Sequence, residues 1–264
     1  MTTTRDPRIS PIEDNLLAVF AFINEMPQFG TDGHADVATY HHPTAFPLLN
    51  LVSGATFLDG DREAVRRRAA AVNAPYFARG LPFMWWTTPS TTSPALDEYL
   101  RDEGFHVEEV PGMHAPLAGT AAGPVPEGLT ISLVDADNRG AFRDALLTGF
   151  EMPDELAGPF LELFESMDPV QWVDLVGTVD GRTVAGGSVW ITGTTAGLFN
   201  IFTAADARGR GYGTALTAAL MELALGRGCT EAILHATEDG YPVYERMGFR
   251  EVCRVDQYVW VPVD

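Results

Sequence analysis

The sequence contains little cysteine, no long hydrophobic run and few basic residues. Its 264 residues include two cysteines, Cys229 and Cys253, whereas a secreted chain of this size would usually carry more. We therefore expect both to be small buried residues in a reducing compartment. No run of about 18 apolar residues occurs, so no membrane-spanning segment is expected. The first seven residues lack the apolar core of a signal peptide, and the cytoplasm is the expected location.

Basic residues are outnumbered by acidic ones, 17 to 36, which gives a net charge of −19. This balance argues against nucleic acid as the main partner, because binding to phosphates requires a basic surface. An acidic field would attract a cationic substrate, but it also promotes solubility, and we favour solubility. His34, His41 and His42 lack the partnering cysteine or carboxylate spacing of a metal site. No metal is therefore expected.

The composition is sufficient for a folded core. Hydrophobic residues make up 46% of the chain and charged residues 20%, which is typical of a globular protein. The length allows one large domain or two ordinary ones. Small residues and prolines dominate the stretch 118–128, and they predict a linker at 121–128 between an N-terminal domain, 1–120, and a C-terminal domain, 129–264.

Hydrophobic periodicity predicts alternating helices and strands in both halves. In the first half we expect a loop at 30–42, helices at 12–25, 61–73 and 94–103, and strands within 46–57, 81–87 and 113–117. Asp61 should cap the second helix, and Pro75 should end it. In the second half we expect helices at 139–149, 155–166 and around Tyr244, and strands at 129–133, 172–179, 183–191, 198–203 and 232–236, with a final strand pair through Tyr258 and Trp260. Asp180-Gly181 predicts a hairpin.

The stretch 199–214 carries most of the functional information. An apolar strand-type run ends at Thr203, and a glycine-rich basic loop and a helix with Leu216, Leu220 and Leu223 on one face follow it. The glycines of the loop are Gly209, Gly211 and Gly213. They leave the backbone uncovered, so successive N–H groups can surround an anion, and the positive end of the helix adds to the attraction. The loop therefore predicts a pyrophosphate site.

The order of residues in the loop distinguishes it from two common phosphate-binding motifs. No Lys-Ser/Thr pair follows the glycines, and the Gly-x-Gly-x-Gly spacing is not that of a dinucleotide fold. Arg208-Gly209-Arg210-Gly211-Tyr212-Gly213 resembles instead the Arg/Gln-x-x-Gly-x-Gly/Ala signature of the GNAT superfamily of acyl-CoA-dependent N-acyltransferases. Val243-Tyr244-Glu245-Arg246-Met247-Gly248-Phe249 is similar to the Leu-Tyr-x-x-x-Gly-Phe segment of the same family.

The resemblance covers the second half and implies an α/β (α+β) fold with a mixed, largely antiparallel central sheet flanked by helices. It implies acetyl-CoA as co-substrate, and it implies that the cofactor is bound by Ile201, Phe202, Thr203, Arg208, Gly209, Arg210, Gly211, Tyr212, Gly213 and Thr214. Main-chain groups of a splayed strand at Ile201 and Thr203 would hold the pantetheine arm and the thioester carbonyl. Tyr244 would be the general acid, because a neutral phenol can donate a proton to a departing thiolate.

The general base is not assigned by this resemblance. Many relatives carry a glutamate on the key strand, but 196–200 contains none, and Thr237 replaces a common asparagine. Acidic or basic side chains near the expected site are His235, Glu238, Asp239, Glu151 and Asp154. Each is expected to be structural or solvated, and a chain of water molecules would also serve.

The first half repeats part of the second. The stretch 93–105 has the same helix followed by Gly-Phe, with Leu100 at the position of Tyr244. The loop before the second helix, 58–61, is acidic and would repel a pyrophosphate. The first half therefore resembles a degenerate GNAT-like domain, which makes the chain a tandem of two such domains.

These observations favour an N-acetyltransferase that transfers an acetyl group from acetyl-CoA to a small-molecule amine by direct attack. The alternative is a non-catalytic acyl-CoA-binding or interaction module that kept only the cofactor site. The presence of Tyr244 favours the enzyme. The expected partners are the amine substrate, without nucleic acid or membrane, and the protein is expected to be a monomer or a homodimer.

Overall fold

The computed structural model describes residues 7, 9–119 and 123–262. The chain forms two compact units, Met1–Pro111 with Cys253–Asp264, and Gly112–Val252. The helices are α1 (Ser10–Asn24), α2 (Arg62–Arg79), α3 (Pro94–Asp102), α4 (Arg139–Gly149), α5 (Asp154–Glu165), α6 (Tyr212–Gly226) and α7 (Tyr241–Arg246). The strands are β1 (Ala38–Tyr40), β2 (Leu51–Ser53), β3 (Phe83–Thr87), β4 (His106–Pro116), β5 (Thr130–Leu133), β6 (Trp172–Val179), β7 (Arg182–Thr192), β8 (Thr195–Thr203), β9 (Glu231–His235) and β10 (Arg250–Trp260).

Each unit contains a mixed, largely antiparallel sheet with helices against it, which confirms the predicted fold class. In the first unit the strand order is β1-β2-β3-β10, and β2 and β3 are parallel. In the second unit the order is β4-β9-β8-β7-β6-β5, and β8 and β9 are parallel. The remaining pairs with a described register are antiparallel.

The two units repeat one chain order. Each parallel pair is joined by a helix and followed by a second helix and a long strand, as β2-α2-β3-α3-β4 and as β8-α6-β9-α7-β10. The backbone repeats as well: Phe105 N donates to Leu100 O at 3.0 Å, and Phe249 N donates to Tyr244 O at 3.1 Å. The glycine before each phenylalanine has a positive φ. The stretch 93–105 and the Tyr244 segment are therefore similar in structure as well as in sequence.

The last strand of each repeat is shared between the units. Gly112–Pro116 of β4 pairs with β9 in the second unit. Asp256–Trp260 of β10 pairs with β3 in the first unit. The bounds of the compact units thus differ from the domains 1–120 and 129–264 drawn from the sequence. Part of the expected linker, 121–122, lies outside the described residues, and the linker and its flanking domains remain a prediction.

The core of the second unit lies where α6 packs on the sheet. Leu216 and Leu220 are fully buried, and Leu223 packs beside them. They contact a cluster that includes Val189, Leu198 and Leu234. The amphipathic face predicted for this helix is confirmed, and its burial fixes the beginning of α6 against the end of β8.

Three predictions about local structure are wrong. Pro75 does not end α2, which continues to Arg79, because the buried Tyr76 hydroxyl donates to Tyr40 O at 3.0 Å or Leu51 O at 3.1 Å and so holds the last turns in place. The final strand pair is one strand, β10, anchored where the Tyr258 hydroxyl donates to Asp97 at 2.8 Å. The expected loop at 30–42 contains β1.

Two features are absent from the described residues. No described helix is long and apolar enough to cross a bilayer. No group of three or more His, Cys, Asp or Glu side chains within the described part of the chain is arranged to hold a metal ion. Both cysteines are buried.

The beginning of α2 is closed by its own N-cap, which leads to a first prediction. Asp61 accepts a hydrogen bond from Ala64 N at 2.8 Å. Replacing Asp61 with alanine should lower the free energy of unfolding by about 1 kcal/mol, whereas Asp61→Asn should stay within a few tenths, since asparagine caps equally well. Urea denaturation followed by circular dichroism measures both changes. Equal losses in the two variants would contradict a role for the cap.

Candidate functional site

The candidate site begins where β8 and β9 separate. Their parallel pairing runs from Thr195 to Leu198 on β8 and from Glu231 to Leu234 on β9. Beyond this point β8 continues to Thr203 beside β7, while β9 continues to His235 beside β4. We call the unpaired stretch beyond this point the cleft, and it begins at Phe199 on β8 and at His235 on β9.

A β-bulge accompanies the separation. Across from β7 the register shifts between Gly186 and Ser188, so that Asn200 and Ile201 together lie opposite Gly187. Asn200 has a φ of +52°, a conformation that asparagine adopts more readily than most residues. The extra residue turns the end of β8 and increases its local twist.

The glycine-rich loop leads from β8 into α6 with a backbone that requires glycine. Gly209 and Gly211 have φ values of +76° and +81°. Gly211 is the N-cap of α6 and provides no side-chain cap, so the N–H groups of the first helical turn are left for another acceptor. An anion at this position would complete the helix end and interact with the positive end of its dipole.

Gly213 allows α6 to approach the end of β8. A Cβ atom at this position would lie 2.8 Å from the Thr203 Oγ1 atom. The side chain of Thr217, one turn further along, donates to Gly213 O at 2.8 Å. The third glycine of the motif is therefore favoured by the close approach of the Thr203 side chain, while the first two are favoured by their φ angles.

Some of the predicted cofactor residues offer only their main chain. The Tyr212 side chain is buried in the core under α6. Phe202 is buried on the opposite face, where its ring lies against Gly186 and 6.0 Å from the ring of Phe142. Ile201 packs on the core cluster. Their N–H and C=O groups are the parts that can contact a ligand, as the sequence prediction proposed for Ile201.

The side chains of the glycine-rich loop carry mostly positive charge. Arg208 and Arg210 are exposed, and Arg208 Nε donates to Thr203 O at 3.4 Å. The neighbouring Asp206 is paired with Arg182 at 2.6 Å, and this hydrogen-bonded contact holds the pKa of the Asp206 carboxyl below its usual range. The ion pair offsets the one acidic group of the loop.

Tyr244 lies on the side of the sheet that carries α6. It is half-buried, packs on the same core cluster, and meets Phe249 edge-on with ring centroids 6.0 Å apart. Gly240 makes room for the ring, since a Cβ there would lie 2.8 Å from the Tyr244 Cε2 atom. Burial raises the pKa of the Tyr244 phenol to about 12, so the hydroxyl remains protonated at neutral pH.

The opposite face of the cleft carries aromatic rings. Phe199 stacks on Trp172 at a centroid distance of 5.8 Å and faces the His235 ring at 6.4 Å. Trp172 in turn contacts Phe164 of α5 at 5.4 Å. Burial lowers the pKa of the His235 imidazole to about 4, which makes it neutral at neutral pH.

The half-buried carboxylate of Asp174 fixes Trp172, the middle ring of this aromatic row. Asp174 accepts a hydrogen bond from Ser188 Oγ at 2.6 Å and one from Trp172 Nε1 at 2.8 Å. Burial raises the pKa of the Asp174 carboxyl, although both hydrogen bonds oppose the shift. Asp174 and Trp172 also line a cavity of about 300 Å³ between the sheet and helices α4 and α5. Sequence analysis missed this group, because the three residues meet only through strand pairing.

The residues considered for the general base lie at different places. Glu238 and Asp239 are exposed in the turn after β9, and Asp154 is exposed at the first position of α5. Glu151 is exposed and has a φ of +50°. Of this set, the structure brings His235 to the point where β8 and β9 separate. The signal that sequence analysis lacked was the register at which their pairing stops.

Comparisons with known proteins identify a matching family model and similar folds. Residues 140–249 match the model of the acetyltransferase (GNAT) family. A GCN5-related N-acetyltransferase from Kribbella flavida has the same fold, with a TM-score of 0.75 and 18% identity over 97% of this chain and 96% of that chain. A tandem GNAT protein from the clavulanic acid biosynthesis pathway gives a TM-score of 0.63 and 17% identity over 100% and 98%.

A third structure extends the fold similarity. A GCN5-related N-acetyltransferase from Sphaerobacter thermophilus gives a TM-score of 0.65 and 17% identity over 95% of this chain and 91% of that chain. A search of curated protein sequences gave no significant match. At these identities the solved structures show the fold, and the family match covers the region that contains β8, the glycine-rich loop and α6.

Proposed function

We propose, from the match of residues 140–249 to the GNAT family and from the shared fold, that this chain transfers an acetyl group from acetyl-CoA to the amine of a small molecule. The observation that carries the proposal is the cleft between β8 and β9, which leads directly to the uncapped beginning of α6. It combines a strand with freed main-chain groups and an anion site at one end. A pyrophosphate-bearing thioester needs both.

The loop would hold the pyrophosphate. The N–H groups of 209–214 supply the donors, Gly209 and Gly211 supply the backbone conformation, and Arg208 and Arg210 add positive charge. The main chain of Ile201, Phe202 and Thr203 would hold the pantetheine arm along β8. An N–H group of this strand near the thioester carbonyl would stabilise the oxyanion that forms on attack.

Tyr244 would assist the departure of the thiolate. Its position against the core under α6 places the phenol on the face of the sheet that carries the anion site. With a pKa of about 12 the phenol is a weak acid, so its main contribution is a hydrogen bond to the thiolate as the C–S bond breaks. Sulfur leaves as CoA thiol after it gains a proton from Tyr244, and solvent restores the proton to the phenol.

The first unit would not bind the cofactor. Its equivalent helix, α2, is capped by the Asp61 carboxylate, which occupies one of the N–H donors that a phosphate needs and repels the phosphate's charge. Leu100, the equivalent of Tyr244, is fully buried in the hydrophobic core.

The proposal also includes a small-molecule amine as the substrate, no nucleic-acid partner, and a monomeric or homodimeric state.

A negative charge placed in the glycine-rich loop should abolish acetyl-CoA binding. With acetyl-CoA about 100-fold above its dissociation constant, mass action should raise the melting temperature of the wild-type protein by about 5 °C or more. Gly211→Glu should remove the shift, because a carboxylate would replace the anion. Differential scanning fluorimetry measures the shift in each variant.

Two control variants separate charge from strain. Gly226→Glu places the same side chain at the other end of α6, where a Cβ would meet no atom within 4 Å, and it should keep the shift. Gly211→Ala adds the φ strain without the charge, and it should keep a reduced shift. A full shift in Gly211→Glu would disprove the assigned phosphate site.

The stoichiometry follows from the difference between the two helix caps. Isothermal titration calorimetry should give one acetyl-CoA per chain, because α6 begins with an uncapped glycine and α2 with an aspartate. Asp61→Gly should not create a second site, since the surrounding loop stays acidic. Two equivalent sites in the wild-type protein would contradict a degenerate first half.

Removing the Tyr244 hydroxyl should slow acetyl transfer and leave acetyl-CoA binding nearly unchanged. Tyr244→Phe should lower kcat about 10²-fold, the low end of the range for a general acid, because the phenol is a weak acid. The dissociation constant for acetyl-CoA should change little. Release of free thiol under single-turnover conditions measures the chemical step. Wild-type turnover in this variant, with intact binding, would favour the non-catalytic module instead.

A further inference from the structure

The cavity between the sheet and helices α4 and α5 shares no described lining residue with the proposed acetyl-CoA site. Its lining includes neither Tyr244 nor any residue of 196–214. Its volume of about 300 Å³ falls at the lower end of the range of small-molecule sites. The buried side chains of its interior are apolar, among them Phe142, Leu146, Leu161, Met167 and Trp172. The interior therefore offers apolar surface to a small organic body.

Asp174 brings a carboxylate to this apolar interior. The Ser188 hydroxyl and the Trp172 Nε1 atom both donate to its Oδ1 atom. No donor among the described residues lies within hydrogen-bond distance of the Asp174 Oδ2 atom. This atom also retains accessible surface. Because Asp174 lines the cavity, a ligand inside the cavity can donate a hydrogen bond to Oδ2.

The exposed lining residues of the cavity carry mostly positive charge. They are Leu133, Arg139, Glu165 and Arg227, and we call them the rim. Glu165 is paired with Arg143 at 2.7 Å, and Arg227 donates to a main-chain oxygen at 2.8 Å. Arg139 contacts no carboxylate in the described part of the chain. Burial raises the pKa of the Asp174 carboxyl, and the charge of Arg139 opposes this rise, so the two charges interact.

We propose that this cavity binds an amino acid with an apolar side chain, whose ammonium group contacts Asp174 Oδ2 and whose carboxylate contacts Arg139. The inference does not depend on acetyl transfer, because the cavity and the cofactor site have different residues. The two charges of the ligand complement the two charges of the site, so neither charge of the site is left without an opposite partner. The apolar interior receives the side chain of the ligand.

The same charges and walls disfavour other classes of ligand. An organic anion would meet the Asp174 carboxylate in the interior, and an organic cation without a carboxylate would meet Arg139 at the rim. A sugar would lose its hydrogen bonds to water against the apolar interior. The combination of a half-buried acid, an exposed base and apolar walls therefore favours an apolar amino acid over each of these ligands.

Three ligands that share one phenylethyl body test the proposal on the full-length wild-type protein without acetyl-CoA. They are L-phenylalanine, 2-phenylethylamine, which lacks the carboxylate, and 3-phenylpropionate, which lacks the ammonium group. In isothermal titration calorimetry L-phenylalanine should have a dissociation constant about 10-fold lower than either of the others, because each of them loses one charge-assisted hydrogen bond.

Each contrary result of these titrations overturns a defined part of the proposal. Equal affinity for 3-phenylpropionate and L-phenylalanine would overturn the role of Asp174. Equal affinity for 2-phenylethylamine and L-phenylalanine would overturn the role of Arg139. No binding of any of the three ligands would overturn the site itself. A failure of acetyl transfer would change none of these results, since acetyl-CoA is absent from the titrations.

Two variants and a control assign the contacts. Asp174→Asn replaces an acceptor with an amide donor, so it should weaken L-phenylalanine and 2-phenylethylamine about 10-fold and should not weaken 3-phenylpropionate. Arg139→Gln should weaken L-phenylalanine and 3-phenylpropionate and should spare 2-phenylethylamine. Glu162→Gln, at an exposed position of α5 outside the cavity lining, should leave all three affinities unchanged.

The pattern across the three ligands separates recognition from structural damage. Equal losses for all three ligands in Asp174→Asn would show that Asp174 supports the fold of the cavity without contacting the ligand, and would overturn its assigned role. Arg139 is exposed, so Arg139→Gln tests the amino-acid assignment even where Asp174→Asn does not fold. Unchanged affinity for L-phenylalanine in Arg139→Gln would overturn that assignment.

Discussion

The separation of β8 from β9 is the constraint on which the rest of the site depends. The bulge at Asn200 inserts one extra residue opposite Gly187, and this breaks the two-residue alternation of side chains. Leu198 and Ile201 consequently both face α6, while Phe199 and Phe202 both face the other side. A regular strand could not bury both pairs and still leave its main chain open. The cleft is thus the product of a register change that the two cores on either side of the sheet require.

The contrast between the two helix beginnings shows how one fold carries different capabilities. α2 and α6 occupy the same place in the repeated chain order. α2 satisfies its own first turn through Asp61, while α6 begins at Gly211 without a side-chain cap. The capped helix is complete in itself, and the uncapped helix gains stability from an anion. The two helices therefore differ in whether the donors of the first turn are met from within the chain.

The sequence predicted well what local signals determine. α4 has the predicted bounds, Arg139–Gly149, and Asp180-Gly181 forms the expected hairpin turn with positive φ at both residues. Predictions failed where distant contacts decide, as at Pro75, where Tyr76 hydrogen bonds across the fold outweigh the proline. The candidate cofactor residues could be proposed because one contiguous motif contains them. The group formed by Asp174 and its partners could not be proposed from the sequence. Strand register alone brings it together, and the register of paired strands cannot be predicted from a single segment.

The exchange of strands between the units has a consequence for how such a chain can change over time. Gly112–Pro116 completes the sheet of the second unit, and Asp256–Trp260 completes that of the first. A half expressed alone from 129 onwards would leave the outer edge of β9 without its partner and would carry a C-terminal strand with no sheet to join. Exposed edges of this kind promote aggregation. Deleting the first half would therefore also remove the strand segment Gly112–Pro116 that completes the sheet of the second unit.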